Sequence, residues 1–228
     1  SVTQGYGPDV EKQLAGKAYV ARLATSRCVG DPVLLAEVSA VLGADTYDVI
    51  HFNNGLHGIG AVSEKEYAEF LPQMLAHIRK LAPKAKLIWA NSTPSHVNGK
   101  FEQLAPNNAN VTERNRIATE LMKKEGIPVD DLYALTLPHP EWCSDGLHYK
   151  PEGKAAQGAQ VAAEVLKPEN RRRHPRHHRW HRRPKRRTSR WCKHRRRRSW
   201  RNNRHRRRNL TRRRRRRHHH PLPIDPHL

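Results

Sequence analysis

Short β-rich runs alternate with longer stretches of helical periodicity across residues 1–167, and few architectures accept that order. Residues 47–52 form one such run and end in Asn53-Asn54-Gly55, a turn cluster. Residues 86–90 form a second, ending in Asn91-Ser92-Thr93-Pro94, and residues 18–25 a third. Between the first two, residues 63–80 carry one apolar stripe (Tyr67, Phe70, Leu71, Met74, Leu75, Ile78) behind a Ser63/Glu66 capping box. Helices are also predicted over 32–42, over 112–125 with Thr112 as the cap, and over 151–166, where proline occupies the first turn. Strands joined through helices run parallel, and both faces of such a sheet are covered. The expected fold is α/β: a three-layer α/β/α sandwich on a parallel sheet.

The chain of 228 residues has a formal charge of +23, but that charge is not spread along it. Residues 171–228 hold 25 Arg and 2 Lys against a single acid, Asp225, whereas residues 1–170 hold 17 bases against 20 acids. The shift at Pro168-Glu169-Asn170 divides the sequence into a domain, residues 1–167, and an Arg/His-rich tail, residues 168–228. A tail of this composition cannot bury enough apolar surface to fold and is expected to be disordered. One reading makes it a grip on nucleic acid, with Trp180, Trp191 and Trp200 stacking on bases. The other makes it the product of a shifted reading frame in a GC-rich gene. The second is favoured by the change from 12 Lys and 5 Arg in the domain to 2 Lys and 25 Arg in the tail. A nucleic-acid partner follows only from a genuine tail. No apolar run reaches the roughly 18 residues a membrane span requires, so no membrane partner is expected. Cys28, Cys143 and Cys192 are few and far apart, which suits buried or free thiols better than a disulfide framework.

The chemistry-bearing residues fall at the two ends of the domain. Ser1 opens the context Ser-x-Thr-x-Gly-Tyr-Gly-Pro, whose glycines permit a tight turn into a following helix and an exposed hydroxyl. Asp145-Gly146-Leu147-His148 precedes the last helix, and its spacing lets one short loop present the carboxylate to the imidazole. Together they supply a nucleophile, a base and the acid that orients it. In open parallel sheets ligands bind beyond the carboxyl ends of the strands. Gly30, Asn54 and Asn91 each follow an expected strand, so all are expected on one rim with Asp145 and His148. Asn54 and the Gly30 N–H are candidate oxyanion donors, although an Asn-Gly pair is also ordinary turn chemistry. His51, His57, His77, His96 and His139 lack an acidic neighbour at useful spacing, and none has metal-ligand spacing with Cys or Glu. No cofactor and no metal is expected.

These residues resemble the SGNH (GDSL) hydrolases. The opening Ser1-Val2-Thr3-Gln4-Gly5-Tyr6 looks like the continuation of the family's Gly-Asp-Ser block, and Asp145 to His148 matches its Asp-x-x-His block. Gly30 in Val29-Gly30-Asp31 is the best match for the second-block glycine, and Asn54 for the third-block asparagine. The third block usually reads Gly-x-Asn-Asp, and Phe52-Asn53-Asn54-Gly55 here leaves Asn53 as an alternative donor. The resemblance covers residues 1–166 and none of the tail. It implies a flavodoxin-like α/β/α fold and ester hydrolysis through an acyl-serine. In that scheme Ser1 attacks, His148 serves as base and then acid, and Asp145 orients His148. The Ser1 N–H, the Gly30 N–H and the Asn54 side chain hold the oxyanion.

The Gly-Asp before the serine and the apolar strand ahead of it have no counterpart here. The first strand is therefore expected to be missing, the natural chain to begin upstream, and the sequence as it stands to turn over little substrate. The expected substrate is a small O-acyl ester, with an acetylated carbohydrate favoured because no insertion resembles a lipase lid. The alternative is a nucleic-acid-binding protein acting through its tail, with an inactive hydrolase-like body. An N-terminal-nucleophile amidase requires stacked antiparallel sheets, which the strand–helix alternation does not suit.

Overall fold

The sheet is built by β1 (Val49–Phe52), β2 (Lys86–Ala90) and β5 (Val129–Asp130), in the order β1-β2-β5 and parallel throughout. This computed structural model describes residues 2–170; Ser1, Cys192 and the rest of residues 171–228 lie outside the described residues. The helices are α1 (Val2–Leu14), α2 (Pro32–Leu42), α3 (Glu64–Leu81), α4 (Asn108–Lys124), the short α5 (Leu132–Thr136) and α6 (Pro151–Val165). A hairpin of β3 (His96–Val97) and β4 (Lys100–Leu104) sits apart from the sheet. Beyond α6, Pro168–Asn170 adds a 3-10 turn, and buried Asn170 donates to the Glu164 carbonyl at 2.8 Å.

The alternation of side chains along β2 sorts the core into two halves. Leu87 and Trp89 pack with Leu34 and Val38 of α2, Tyr67, Leu71, Met74, Leu75 and Ile78 of α3, and Ala118 and Met122 of α4. Ala90 turns to the opposite face and meets Tyr6, Val10 and Leu14 of α1 with Val161 and Ala162 of α6. Helices on both faces of a parallel sheet make the three-layer α/β/α sandwich. Each fully buried aliphatic side chain here contributes roughly 1.5–3 kcal/mol. The α3 capping box forms as the sequence predicts: Ser63 Oγ accepts the Glu66 N–H at 3.2 Å, and the Glu66 carboxylate accepts the Ser63 N–H at 2.8 Å.

Three expectations need correction. Residues 18–25 form no strand. Val20 packs into the α1/α6 half of the core and Leu23 into the α2/α3/α4 half, so the segment keeps a strand's two-sidedness. It lacks a ladder, because β1 pairs with β2 and no described strand pairs with 18–25. The N-terminal segment is not a tight turn but helix α1. Tyr6, Val10 and Leu14 recur every four residues and bury against α6, which outweighs two glycines and Pro8. Finally, α4 starts at Asn108, four residues before Thr112. The Thr112 hydroxyl donates to the Ala109 carbonyl (2.9 Å) within the helix instead of capping it.

Candidate active site

The Asp145–His148 pair is assembled by its own loop. Cys143 and Tyr149 face each other across an antiparallel bridge, and the Ser144 N–H donates to the His148 carbonyl at 2.9 Å. Inside that turn, Asp145 Oδ1 accepts the N–H groups of Leu147 (3.0 Å) and His148 (2.8 Å). Its other oxygen, Oδ2, lies 2.8 Å from His148 Nδ1. Gly146 has φ +90° and its carbonyl accepts the His96 N–H at 2.8 Å, which docks the loop on the β3–β4 hairpin. A Cβ at Gly146 would stand 2.5 Å from the His96 carbonyl oxygen, so only glycine fits.

The electrostatics follow from these bonds. The His148 N–H, then the imidazole and the Leu147 N–H, hold the Asp145 carboxyl down at about 2. An ionised Asp145 fixes the Nδ1–H tautomer of His148 and leaves Nε2 as the acceptor. Nε2 makes no hydrogen bond among the described residues, and the side chain is 38% exposed. The imidazole thus has a free lone pair and lines a cavity of about 300 Å³ with Val2, Gln4, Gly5, Tyr149, Lys154 and Gln157. A smaller cavity beside it is shared by Val2, Thr3, Asn53, Ala90 and Asn91, among others. The first turn of α1 therefore lies between the His148 loop and the ends of β1 and β2.

Asn53 and Asn54 are used differently. Asn53 lines the smaller cavity, and its Nδ2 donates to the Ala90 carbonyl (2.6 Å) and to Ser92 Oγ (3.1 Å). Asn54 is buried and lines neither cavity. Its Oδ1 accepts the Val29 N–H (3.1 Å) and its Nδ2 donates to the Arg27 carbonyl (2.9 Å), so it clamps the loop that carries Gly30. Gly30 is exposed, and its N–H is engaged by no described residue. Asn91 bridges Trp89 Nε1 (3.2 Å) and Asp131 (3.1 Å), a structural role at the end of β2. Ser1 lies outside the described residues, but Val2, its neighbour in the chain, lines both cavities.

Two histidines set aside for lack of an acidic neighbour have one. His51 Nε2 lies 2.8 Å from Asp130, whose carboxylate is buried and also accepts from Gln160 (2.7 Å). The two come together across β2 from positions 79 residues apart, which sequence spacing cannot reveal. His139 meets Glu141 at 2.9 Å and stacks on Trp142 at a ring distance of 3.8 Å. Neither histidine lines the two cavities. Among the described residues, no group of three or more His, Cys, Asp and Glu side chains is arranged to hold a metal ion. No described helix is long and apolar enough to cross a membrane.

The sequence matches no protein-family model and no curated relative. The structure, by contrast, is similar to a GDSL-like lipase from Bacteroides thetaiotaomicron, with a TM-score of 0.58 and 16% identity, covering 72% of this chain and 83% of that one. It is similar to an acetyl xylan esterase with a TM-score of 0.59 and 16% identity, covering 73% of this chain and 96% of that one. A lipase/acylhydrolase from Enterococcus faecalis gives a TM-score of 0.55 at 19% identity, covering 70% and 84%. The fold is that of the GDSL-like acylhydrolases.

Within this acylhydrolase fold, the buried residues that hold the site's loops gave little signal in the sequence. Arg114 of α4 is fully buried and donates to the carbonyls of Gly55 (3.2 Å), His57 (2.9 Å), Gly58 (3.2 Å) and Val62 (2.6 Å). It lies over the Tyr67 ring at 4.9 Å and within 3.6 Å of Glu64. One guanidinium thus shapes the whole loop after Asn53-Asn54. Asn115, its neighbour, grips the Ser92 backbone from both sides, accepting its N–H and donating to its carbonyl at 2.8 Å each. An arginine on the buried face of an amphipathic stretch is the one available clue, since such a charge must find partners.

Proposed function

We propose that this protein is a serine ester hydrolase acting on small O-acyl esters, with O-acetylated carbohydrate as the favoured substrate. The observation that carries the proposal is the Asp145–His148 pair, whose Nε2 is free and whose imidazole lines the same cavity as the first turn of α1. Ser1 precedes Val2 of that turn, and one residue spans only about 3.8 Å. Ser1 Oγ attacks the ester carbonyl as His148 Nε2 takes its proton. The tetrahedral intermediate collapses to an acyl-serine while His148 returns that proton to the leaving alkoxide. Water then repeats the sequence on the acyl-serine, releasing the acid.

The oxyanion formed in each half-reaction needs donors held in advance. The Gly30 N–H is unengaged, and the Ser1 N–H is the second donor in this scheme. For the third donor, the geometry favours Asn53 over Asn54. Asn53 faces the cavity shared with Val2, and its longer contact, to Ser92 Oγ at 3.1 Å, is the one an oxyanion would replace. Asn54 acts as a positioning residue for the Gly30 loop. The acetyl xylan esterase among the similar structures supports a small acyl group on a sugar.

The test is p-nitrophenyl acetate hydrolysis by the natural gene product, including any residues encoded ahead of Ser1, beside its His148→Ala variant. Turnover that the variant loses by about a thousandfold is expected. Equal turnover in both would remove His148 from the chemistry and the proposal with it.

A further inference from the structure

The larger cavity carries two polar groups that the catalytic scheme does not use. Lys154, in the first turn of α6, is half-buried, and its stem runs past Gly5 of α1, whose missing Cβ would sit 3.3 Å from Lys154 Cε. Its ammonium has no hydrogen bond or ion pair with any described residue. Asp145 forms no ion pair with it; that carboxylate accepts the three bonds of the His148 loop. Gln157, one turn along α6, is 0% exposed. Its Nε2 donates to the Gly153 carbonyl at 3.1 Å, while its Oε1 accepts nothing among the described residues. A buried acceptor is rarely left unmatched, and Gln157 lines the cavity, so a donor brought in by a ligand is the partner it lacks.

We propose that the cavity between α1 and α6 is the subsite for an acidic, hydroxyl-bearing leaving alcohol, with the Lys154 ammonium and the Gln157 Oε1 as its ligands. This rests on the ester-hydrolase reading, because it uses His148 to say which half of the ester is held. The group that protonates the leaving alkoxide must lie beside it, and His148 lines this cavity. An unpaired ammonium selects an anionic oxygen, and a bare carboxamide oxygen selects a hydroxyl donor. A carboxylate and hydroxyls on one small ring, as in a uronic acid, meet both requirements in a space of about 300 Å³. A neutral sugar satisfies Gln157 and leaves Lys154 unpaired.

The experiment measures binding of D-glucuronate and of D-glucose to the full gene product by calorimetry, then to Lys154→Met, Lys154→Arg and Gln157→Leu. Glucuronate is expected to bind roughly tenfold more tightly than glucose, the scale of one charge-assisted hydrogen bond. Lys154→Met abolishes that preference and Lys154→Arg keeps it. Gln157→Leu weakens both sugars by roughly fivefold. Lys124→Met, at the far end of α4 and outside the cavity, leaves the preference unchanged. Equal affinity for the two sugars in the unmodified protein would overturn the proposal, and so would a preference that survives Lys154→Met. The same ratio is then read as kcat/KM for O-acetyl-glucuronate over O-acetyl-glucose, and a ratio near one overturns the leaving-group assignment. Loss of all His148-dependent turnover of p-nitrophenyl acetate would instead sink the hydrolase reading, while glucuronate binding still decides whether the cavity is an acid-binding site.

Discussion

Asp145 is half-exposed, yet three hydrogen bonds from its own loop set its charge. Its carboxyl titrates at about 2, below the ordinary carboxylate range near 4. A depressed pKa contributes stability that is fully present above the unfolded value and is lost as pH falls through about 2. Asp145 therefore stays ionised throughout the working range, and any loss of activity between pH 5 and 8 belongs to another group. Asp145→Asn should lower kcat by about 10³–10⁴ by permitting the wrong imidazole tautomer, with little change in KM. Asn53 and Asn54 separate in the same way. Asn53→Ala is expected to lower kcat by about a hundredfold with melting temperature nearly unchanged. Asn54→Ala should lower both, because it frees the 27–30 loop.

Elements position these residues through two close approaches. At Gly158, α6 comes so near to α1 that a Cβ would lie 2.5 Å from Asp9 Cβ and 3.2 Å from the backbone of Asp9 and Val10. Gly158→Ala must push the helices apart at a cost of about 1–3 kcal/mol. Because α1 leads directly to Ser1, kcat/KM should fall further than the change in melting temperature alone explains. At the other approach, Arg114→Met strands the four carbonyls of the 55–62 loop. It should cost at least about 3 kcal/mol, lowering the melting temperature by roughly 6–12 °C.

The same elements explain what the sequence made legible. Helices α2, α3 and α6 announced themselves through caps, a first-turn proline and an apolar stripe, all of which are local signals. The Asp145–His148 pair was legible for the same reason, since every bond that builds it is made within four residues. Residues 18–25 misled because alternation reports two-sided burial and not the presence of a partner strand. The His51–Asp130 pair and the Arg114 clamp both depend on contacts between segments distant in sequence. Asn53 and Asn54 were left open because adjacent residues on one turn point to different partners, and only the fold decides which meets the cavity.

At the scale of the whole molecule, every residue of the proposed chemistry falls between Ser1 and Gln157. The 25 arginines lie beyond Asn170. Removing residues 171–228 should therefore leave kcat/KM for p-nitrophenyl acetate unchanged within about twofold, or about 0.4 kcal/mol. If the tail supplied substrate contacts, removing it would instead raise KM, by an amount that depends strongly on salt. The first turn of α1 and the His148 loop line one cavity, and the proposed acyl-serine mechanism depends on that juxtaposition. It is tested most directly by treating the full gene product with a fluorophosphonate and mapping the adduct by peptide mass spectrometry. One phosphonyl group on Ser1, formed rapidly in the unmodified protein and hardly at all in His148→Ala, is the predicted result. Labelling of another serine, or a Ser1 adduct formed equally fast without His148, would contradict the account.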